Sequence, residues 1–244
     1  MMAPLLRVSN VSRSFGGLRA IDGVSFDVGA GEIVGLIGPN GAGKTTMFET
    51  ISGFQRPSAG TIAFDGRDVT GQPPHRLCRL GIGRTFQIVQ PFGDVSVLDN
   101  VVAGVIGPGR PLAGARDEAH AVLKRVKLDH RATALARNLS LPEKKRLEVA
   151  RALATKPRLL LLDEVMAGLT PIEVDDTMQI LAGIRSDGVA LLIVEHLMRA
   201  IMSLSDRIVV MASGRKIAEG APAQVVADAK VIEAYLGRRR HAPA

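Results

Sequence analysis

The sequence predicts an α/β protein: a mostly parallel sheet with helices, a β-rich N-terminal layer, and a helical lobe inserted near residues 88–150. Three observations carry that expectation. Strand-like runs rich in Val, Ile and Phe crowd the first 70 residues. The middle of the chain switches to helical spacing. Short, continuous apolar runs then return with helical segments between them, the pattern of a parallel sheet buried on both faces.

The elements follow in order. "LLRVSNVSRSF", "GVSFDVGAGEIVGLIG" and "GTIAFDG" read as strands bounded by Gly or Asp turns. "IGPGRPLAGAR", rich in Gly and Pro, reads as a loop within the lobe. In "DEAHAVLKRVKL", Asp117 to Leu128, the residues Ala119, Val122, Leu123 and Val126 share one helical face; "RLEVARALA" follows with Leu147, Ala150 and Leu153. "RLLLLD", "ALLIVE" and "RIVVMA" read as buried strands, with "PIEVDDTMQILAGIR" and "EHLMRAIMSLS" as intervening helices. No internal repeat and no low-complexity tract interrupts them. One domain is expected over residues 1–244: a core from about 1–87 and 151–244, a helical subdomain from about 88–150, and a flexible basic tail from about 237–244.

Composition narrows the partners. The chain has 244 residues, 23 % of them charged and 46 % hydrophobic, which suits a soluble domain with a sizeable core. A net charge of +7 points to an anionic partner. Nucleic acid fits poorly, because aromatics make up 3 % and supply no stacking platform. Cys78 stands alone, so neither a disulfide framework nor a cysteine metal site is expected, as in a reducing cytoplasm. No apolar run approaches the ~20 residues of a membrane span, and the start lacks a signal-peptide core.

The most informative stretch is "EIVGLIGPNGAGKTT". An apolar strand, Ile33 to Ile37, runs into a glycine-rich loop, and the helix-compatible "TMFETISGF" follows. This is a phosphate-binding loop in its required strand–loop–helix setting. Gly38, Pro39, Asn40, Gly41, Ala42, Gly43, Lys44, Thr45 and Thr46 would turn backbone amides toward a phosphate at a helix N-terminus. Lys44 would neutralise the β- and γ-phosphates, and the Thr45 hydroxyl would ligate Mg²⁺. No Asn-Lys-x-Asp guanine-reading motif is present. "RLLLLDE" ends in two acids where ligands gather in such sheets: Asp163 for the Mg²⁺ shell, and Glu164 to accept a proton from attacking water.

The order Gly38–Thr46, Gln87, Ser140–Arg146, Asp163–Glu164 and His196 resembles the ATP-binding cassette (ABC) ATPases over essentially the whole chain. Within that family, "RSFGGLRAIDGVSF", "GIGRTFQIVQPFGDVSVLDNV", "AGLTP" and "AEGAPAQVVADAKVIEAYLG" are similar to the ATPase subunits of branched-chain amino-acid importers, the LivG type. The resemblance implies the P-loop ABC ATPase fold, with an antiparallel N-terminal β layer, and ATP and Mg²⁺ as ligands. It implies that Phe15 stacks under adenine, Gln87 touches Mg²⁺ or the attacking water on a loop that moves against the membrane subunit, and His196 contacts the γ-phosphate and orients catalytic groups. The implied partners are a second ATPase subunit, identical or a paralogue, two transmembrane permease subunits and a periplasmic binding protein. The implied location is the cytoplasm, against the inner face of the plasma membrane. An ATP-gated clamp with weak hydrolysis is the alternative, and the cargo stays open among branched-chain or related amino acids, urea, amides and aromatic acids.

Two departures bear on that resemblance. The signature at which one subunit closes over its partner's ATP usually reads Leu-Ser-Gly-Gly-Gln; here it is Leu139-Ser140-Leu141-Pro142-Glu143. Ser140 remains, and Pro142 has no N–H to donate. With Ser140 as N-cap, Pro142 falls in the first turn and Glu143 completes a capping box, so the motif serves as a helix start whether or not it also meets a nucleotide. Lys144, Lys145 or Arg146 would restore positive charge, or form a solvated face. The second departure is Thr170, at or near the position where many members carry an aspartate that crosses the dimer interface. The ending "LGRRRHAPA" reads as a solvated tail, with lipid contact as the other option.

Overall fold

In the strands Ile33–Ile37 (β3), Leu159–Asp163 (β7) and Ala190–Val194 (β8), every residue is buried. A strand with no wet face needs cover on both sides, and the computed structural model, which describes residues 3–86, 90–106 and 113–236, provides it. Ile33, Leu160, Leu162, Leu191 and Ile193 join a core shared with the helices, whereas Val34, Leu36, Leu159, Leu161 and Leu192 join a second core under the N-terminal strands. Successive residues therefore alternate between two hydrophobic clusters.

The N-terminal layer consists of Leu6–Phe15 (β1), Leu18–Val28 (β2), Ala59–Phe64 (β4) and Arg67–Asp68 (β5), paired antiparallel in the order β2-β1-β4-β5. The main sheet is six-stranded. Its order is β10-β9-β3-β8-β7-β6, with Ile82–Arg84 (β6), Arg207–Ala212 (β9) and Arg215–Gly220 (β10). All pairs are parallel except β10 with β9, an edge hairpin. The C-terminal ends of β3, β8 and β7 consequently lie side by side.

Helix Lys44–Ile51 (α1) follows β3, and Pro74–Leu80 (α2) precedes β6. Val97–Val105 (α3), Ala115–Arg125 (α4) and Leu141–Ala154 (α5) then pack on one another around Val101, Ala119, Leu123, Leu147 and Ala150. Pro171–Ser186 (α6) and Met198–Leu204 (α7) flank β8, and Pro222–Ala227 (α8) and Ala229–Leu236 (α9) close the described chain. No helix among the described residues is long and apolar enough to cross a membrane.

Several boundaries differ from expectation. The helix expected over 117–128 spans Ala115–Arg125; Ala115 and Arg116, expected in a loop, form its first turn, while residues 107–112 lie outside the described residues. Buried Ala115 supplies an apolar anchor that extends the helical face by one turn. The helix expected over "EHLMRAIMSLS" is confined to Met198–Leu204, because Glu195 and His196 are used at the strand end. The tail 237–244 also lies outside the described residues.

The loop that leads into α3 is organised by one buried amide. Asn100 is fully buried; its Oδ1 accepts from the Phe92 N–H at 2.9 Å, and its Nδ2 donates to the carbonyls of Phe92 (3.0 Å), Val95 (3.3 Å) and Ser96 (2.9 Å). Replacing it with Ala strips the Phe92 N–H of its acceptor and takes the side-chain donor from three carbonyls that keep only their backbone partners. Asn100→Ala is predicted to lower stability by about 2–3 kcal/mol, read from the urea midpoint at unchanged denaturant slope.

Candidate functional site

The residues after β3, β7 and β8 converge. The phosphate loop leaves β3, and two of its glycines occupy positions no other residue fits. Gly38 has φ +154°, and a Cβ there would stand 2.0 Å from the Met211 carbonyl oxygen; Gly43 has φ +97°, and its Cβ would stand 2.4 Å from that of Ala20. Gly43 is also the N-cap of α1, which has no side-chain cap and no acid in its first turn. By contrast, α6 starts with a reciprocal Thr170–Glu173 box. The open amides and dipole of α1 suit an anion.

Lys44 folds over the loop: its Nζ donates to the carbonyls of Gly38 (2.7 Å) and Pro39 (3.1 Å). Burial pushes its pKa down, opposed by the charges of Glu164 and Asp163. Asn40 to Thr46 line one cleft together with Leu18, Arg19, Ala20, Glu164, His196, Ser213 and Gly214. Thr45 also lines an adjoining cleft with Asp163, so it stands between the phosphate loop and the acidic strand end.

Asp163 is 4 % exposed, and burial raises its pKa; the Arg84 guanidinium, 3.2 Å away, opposes that shift. Arg84, at the end of β6, also donates to the Ser52 hydroxyl at 2.9 Å and lies against the rings of Phe54 and Phe86. Glu164 follows in the left-handed region, φ +50°, rare for a residue with a side chain. Its Oε1 meets His196 Nε2 at 2.8 Å, and its N–H donates to the Val194 carbonyl at 2.9 Å.

Fit for a nucleotide and Mg²⁺ follows from the donors. Thr45 and Asp163 offer hard oxygens beside an uncapped helix start, and no group of three or more His, Cys, Asp or Glu among the described residues forms a cage of its own. That is the donor set of a Mg²⁺ held by one or two protein oxygens and completed by phosphates and water.

Other expected residues are placed differently. Gln87 lies outside the described residues. Phe15, at the end of β1, is 42 % exposed, with the Arg13 guanidinium 4.6 Å from its ring centroid; Leu18 to Ala20, one turn further on, line the phosphate-loop cleft. Ser140 does not line that cleft in its own chain. It is the N-cap of α5, with Pro142 in the first turn and the Glu143 carboxylate accepting from the Ser140 N–H at 2.8 Å.

The three basic residues after it have separate fates. Lys145 is buried, which corrects the expectation of a free charge or a solvated face: its Nζ donates to the Glu164 carbonyl at 2.7 Å. Arg146 pairs with Asp176 at 3.4 Å. Lys144 forms no side-chain ion pair among the described residues. Arg84, Glu195 and Tyr235 carry no mark of a site in the sequence, and Lys145 is expected there only as a positive charge beside the signature or as a solvated face. Tyr235, on α9, lies beside the Gly38 backbone, and burial pushes its phenol up. Nothing in local sequence spacing links residues so far apart.

With this geometry in hand, comparison with known proteins is decisive. Residues 21–167 match the ABC transporter family model. The chain belongs to the ABC transporter ATP-binding family. Residues 215–241 also match the model of a branched-chain amino acid ATP-binding cassette transporter, a segment that contains Tyr235. The chain is 40 % identical to the high-affinity branched-chain amino acid transport ATP-binding protein BraF of Pseudomonas aeruginosa, over 97 % of this chain and 99 % of that one. It is 38 % identical to LivG of Escherichia coli K12, with the same coverage. Among solved structures, the ADP conformation of an ATP-binding cassette of an ABC transporter superposes with a TM-score of 0.88 at 34 % identity, covering 97 % of this chain and 100 % of that one.

Arg84 offers a test of the site's electrostatics. Arg84→Gln leaves Asp163 buried without its cation and is expected to cost about 3 kcal/mol at neutral pH in the nucleotide-free protein. Because a protonated Asp163 carries no charge, the deficit relative to wild type should shrink as pH falls through the raised Asp163 pKa. Urea titrations of both proteins at neutral and mildly acidic pH measure it.

Proposed function

We propose that this cassette binds and hydrolyses ATP to drive an importer of branched-chain or related amino acids. The observation that carries the reading is the Glu164–His196 contact of 2.8 Å at the cleft that Lys44 and the open start of α1 also line. Lys44 moves its ammonium from the loop carbonyls to the β- and γ-phosphates. Thr45 and Asp163 would hold Mg²⁺, which would supply charge neutralisation when bound. Glu164 takes the proton of the attacking water, and His196 fixes the carboxylate's direction and reaches the γ-phosphate. Phe15 stacks on adenine with the ring face that Arg13 leaves open.

Closure brings Ser140 of one copy to the nucleotide of a second cassette, identical or paralogous. The start of α5 offers the hydroxyl, its dipole and the unpaired ammonium of Lys144 in place of the amide that Pro142 lacks. A lost neutral hydrogen bond costs about 1 kcal/mol net, which slows closure without abolishing it. The complete Lys44, Asp163, Glu164 and His196 set favours hydrolysis over an ATP-gated clamp. Exposed Phe54, Phe86 and Phe92 rim a cleft that also contains Arg84, Glu148 and Arg151. We assign this cleft to a permease subunit; two permeases and a periplasmic binding protein complete the assembly at the inner face of the membrane.

Two substitutions separate binding from chemistry. Lys44→Ala is expected to abolish saturable Mg²⁺-dependent ATP binding. Glu164→Gln is expected to keep binding and to lower kcat by about 10²–10⁴-fold, the usual contribution of a general base. Steady turnover by Glu164→Gln at the wild-type rate would overturn the assignment.

A further inference from the structure

Two buried charged residues flank Glu164 without lining its cleft: Lys145, 8 % exposed, and Glu195, 2 % exposed. Lys145 Nζ donates to the Glu164 carbonyl oxygen at 2.7 Å. Glu195 Oε1 accepts from the Met166 N–H at 2.7 Å, and its carboxylate lies beside the His196 backbone. Burial pushes the lysine down and the glutamate up, and the opposite charge of each resists the shift of the other. Buried charges persist when they have partners, and both here spend their hydrogen bonds on the backbone that bears Glu164 and His196.

That backbone needs holding. Glu164 sits at φ +50°, a conformation that costs on the order of 1 kcal/mol and survives only where the surroundings over-determine it. One restraint is the sheet bond from its N–H to the Val194 carbonyl. Two more act on its carbonyl oxygen: the Ala167 N–H donates to it at 3.3 Å, and Lys145 reaches it at 2.7 Å from α5, the helix whose N-cap is Ser140. The same helix start touches the loop again further on, where a Cβ on Gly168 would lie 3.3 Å from Leu141 Cδ2.

We propose that Lys145 is a positioning residue for Glu164: with Glu195, which holds the Met166 N–H, it sets the peptide from which the Glu164 carboxylate reaches His196. The role rests on the reading of Glu164 as proton acceptor. It assigns the basic run after the unusual signature a task inside its own subunit. Lys145 does not line the phosphate-loop cleft, so its loss is expected to act on the chemical step.

Lys145→Met keeps the stem and removes the donor. Its kcat is expected to fall about 10–100-fold, the scale of a small misplacement of a catalytic group, with KM for MgATP within about twofold of wild type. Lys145→Arg should recover part of that loss. On a Glu164→Gln background, Lys145→Met should cost little more, because the two act as a unit. Should Lys145→Met fold poorly, Lys145→Met with Glu195→Gln removes both charges together and is measured in the same way. Unchanged kcat in the folded variant overturns the inference, as does a loss that multiplies fully with that of Glu164→Gln. Wild-type turnover by Glu164→Gln alone overturns the proton-acceptor reading and the role of Lys145 with it; a dead Glu164→Gln beside a fully active Lys145→Met overturns only the latter.

Discussion

The structure depends on three adjacent strands that have nowhere to meet water. β3, β8 and β7 are buried along their whole length, so they exist only when sandwiched between the helices and the N-terminal strand layer. Parallel pairing forces their chains to emerge on one side. The phosphate loop and Glu195–His196 are the first residues out of β3 and β8, and Asp163–Glu164 straddle the end of β7, so a hydrophobic requirement assembles a polar site. Polar side chains begin where apolar cover ends.

Much of this was legible in the sequence because each signal is local. Four apolar residues followed by Asp163 mark a buried strand and its exit; the spacing of Gly38, Gly43, Lys44 and Thr45 marks a turn that other residues cannot make. Ser140, Pro142 and Glu143 sit within one helical turn, so the cap could be read directly and was found in place. Family resemblance added His196, whose contact with Glu164 the geometry displays.

What escaped was what depends on distance in the chain. Arg84 and Asp163 are 79 residues apart, and no pattern marks one as the other's counter-ion. β6 is three residues long, too short for a period to show, although it delivers that arginine. Lys145 looked like part of a charged surface because neighbouring Lys144 and Arg146 are basic; its direction is set by the turn of α5 against the loop after β7. The left-handed conformation of Glu164 likewise has no sequence mark, since glutamate rarely adopts it.

The capping box at the head of α5 has a consequence for assembly. Pro142 brings no amide that needs a partner, and Glu143 already engages the Ser140 N–H, so part of this helix end is satisfied within its own subunit. A glycine-rich start would gain order as it met a phosphate. In the proposed closed pair this start would arrive already ordered, with less conformational freedom to surrender on contact. What the missing amide takes from the attraction would be partly returned by that order.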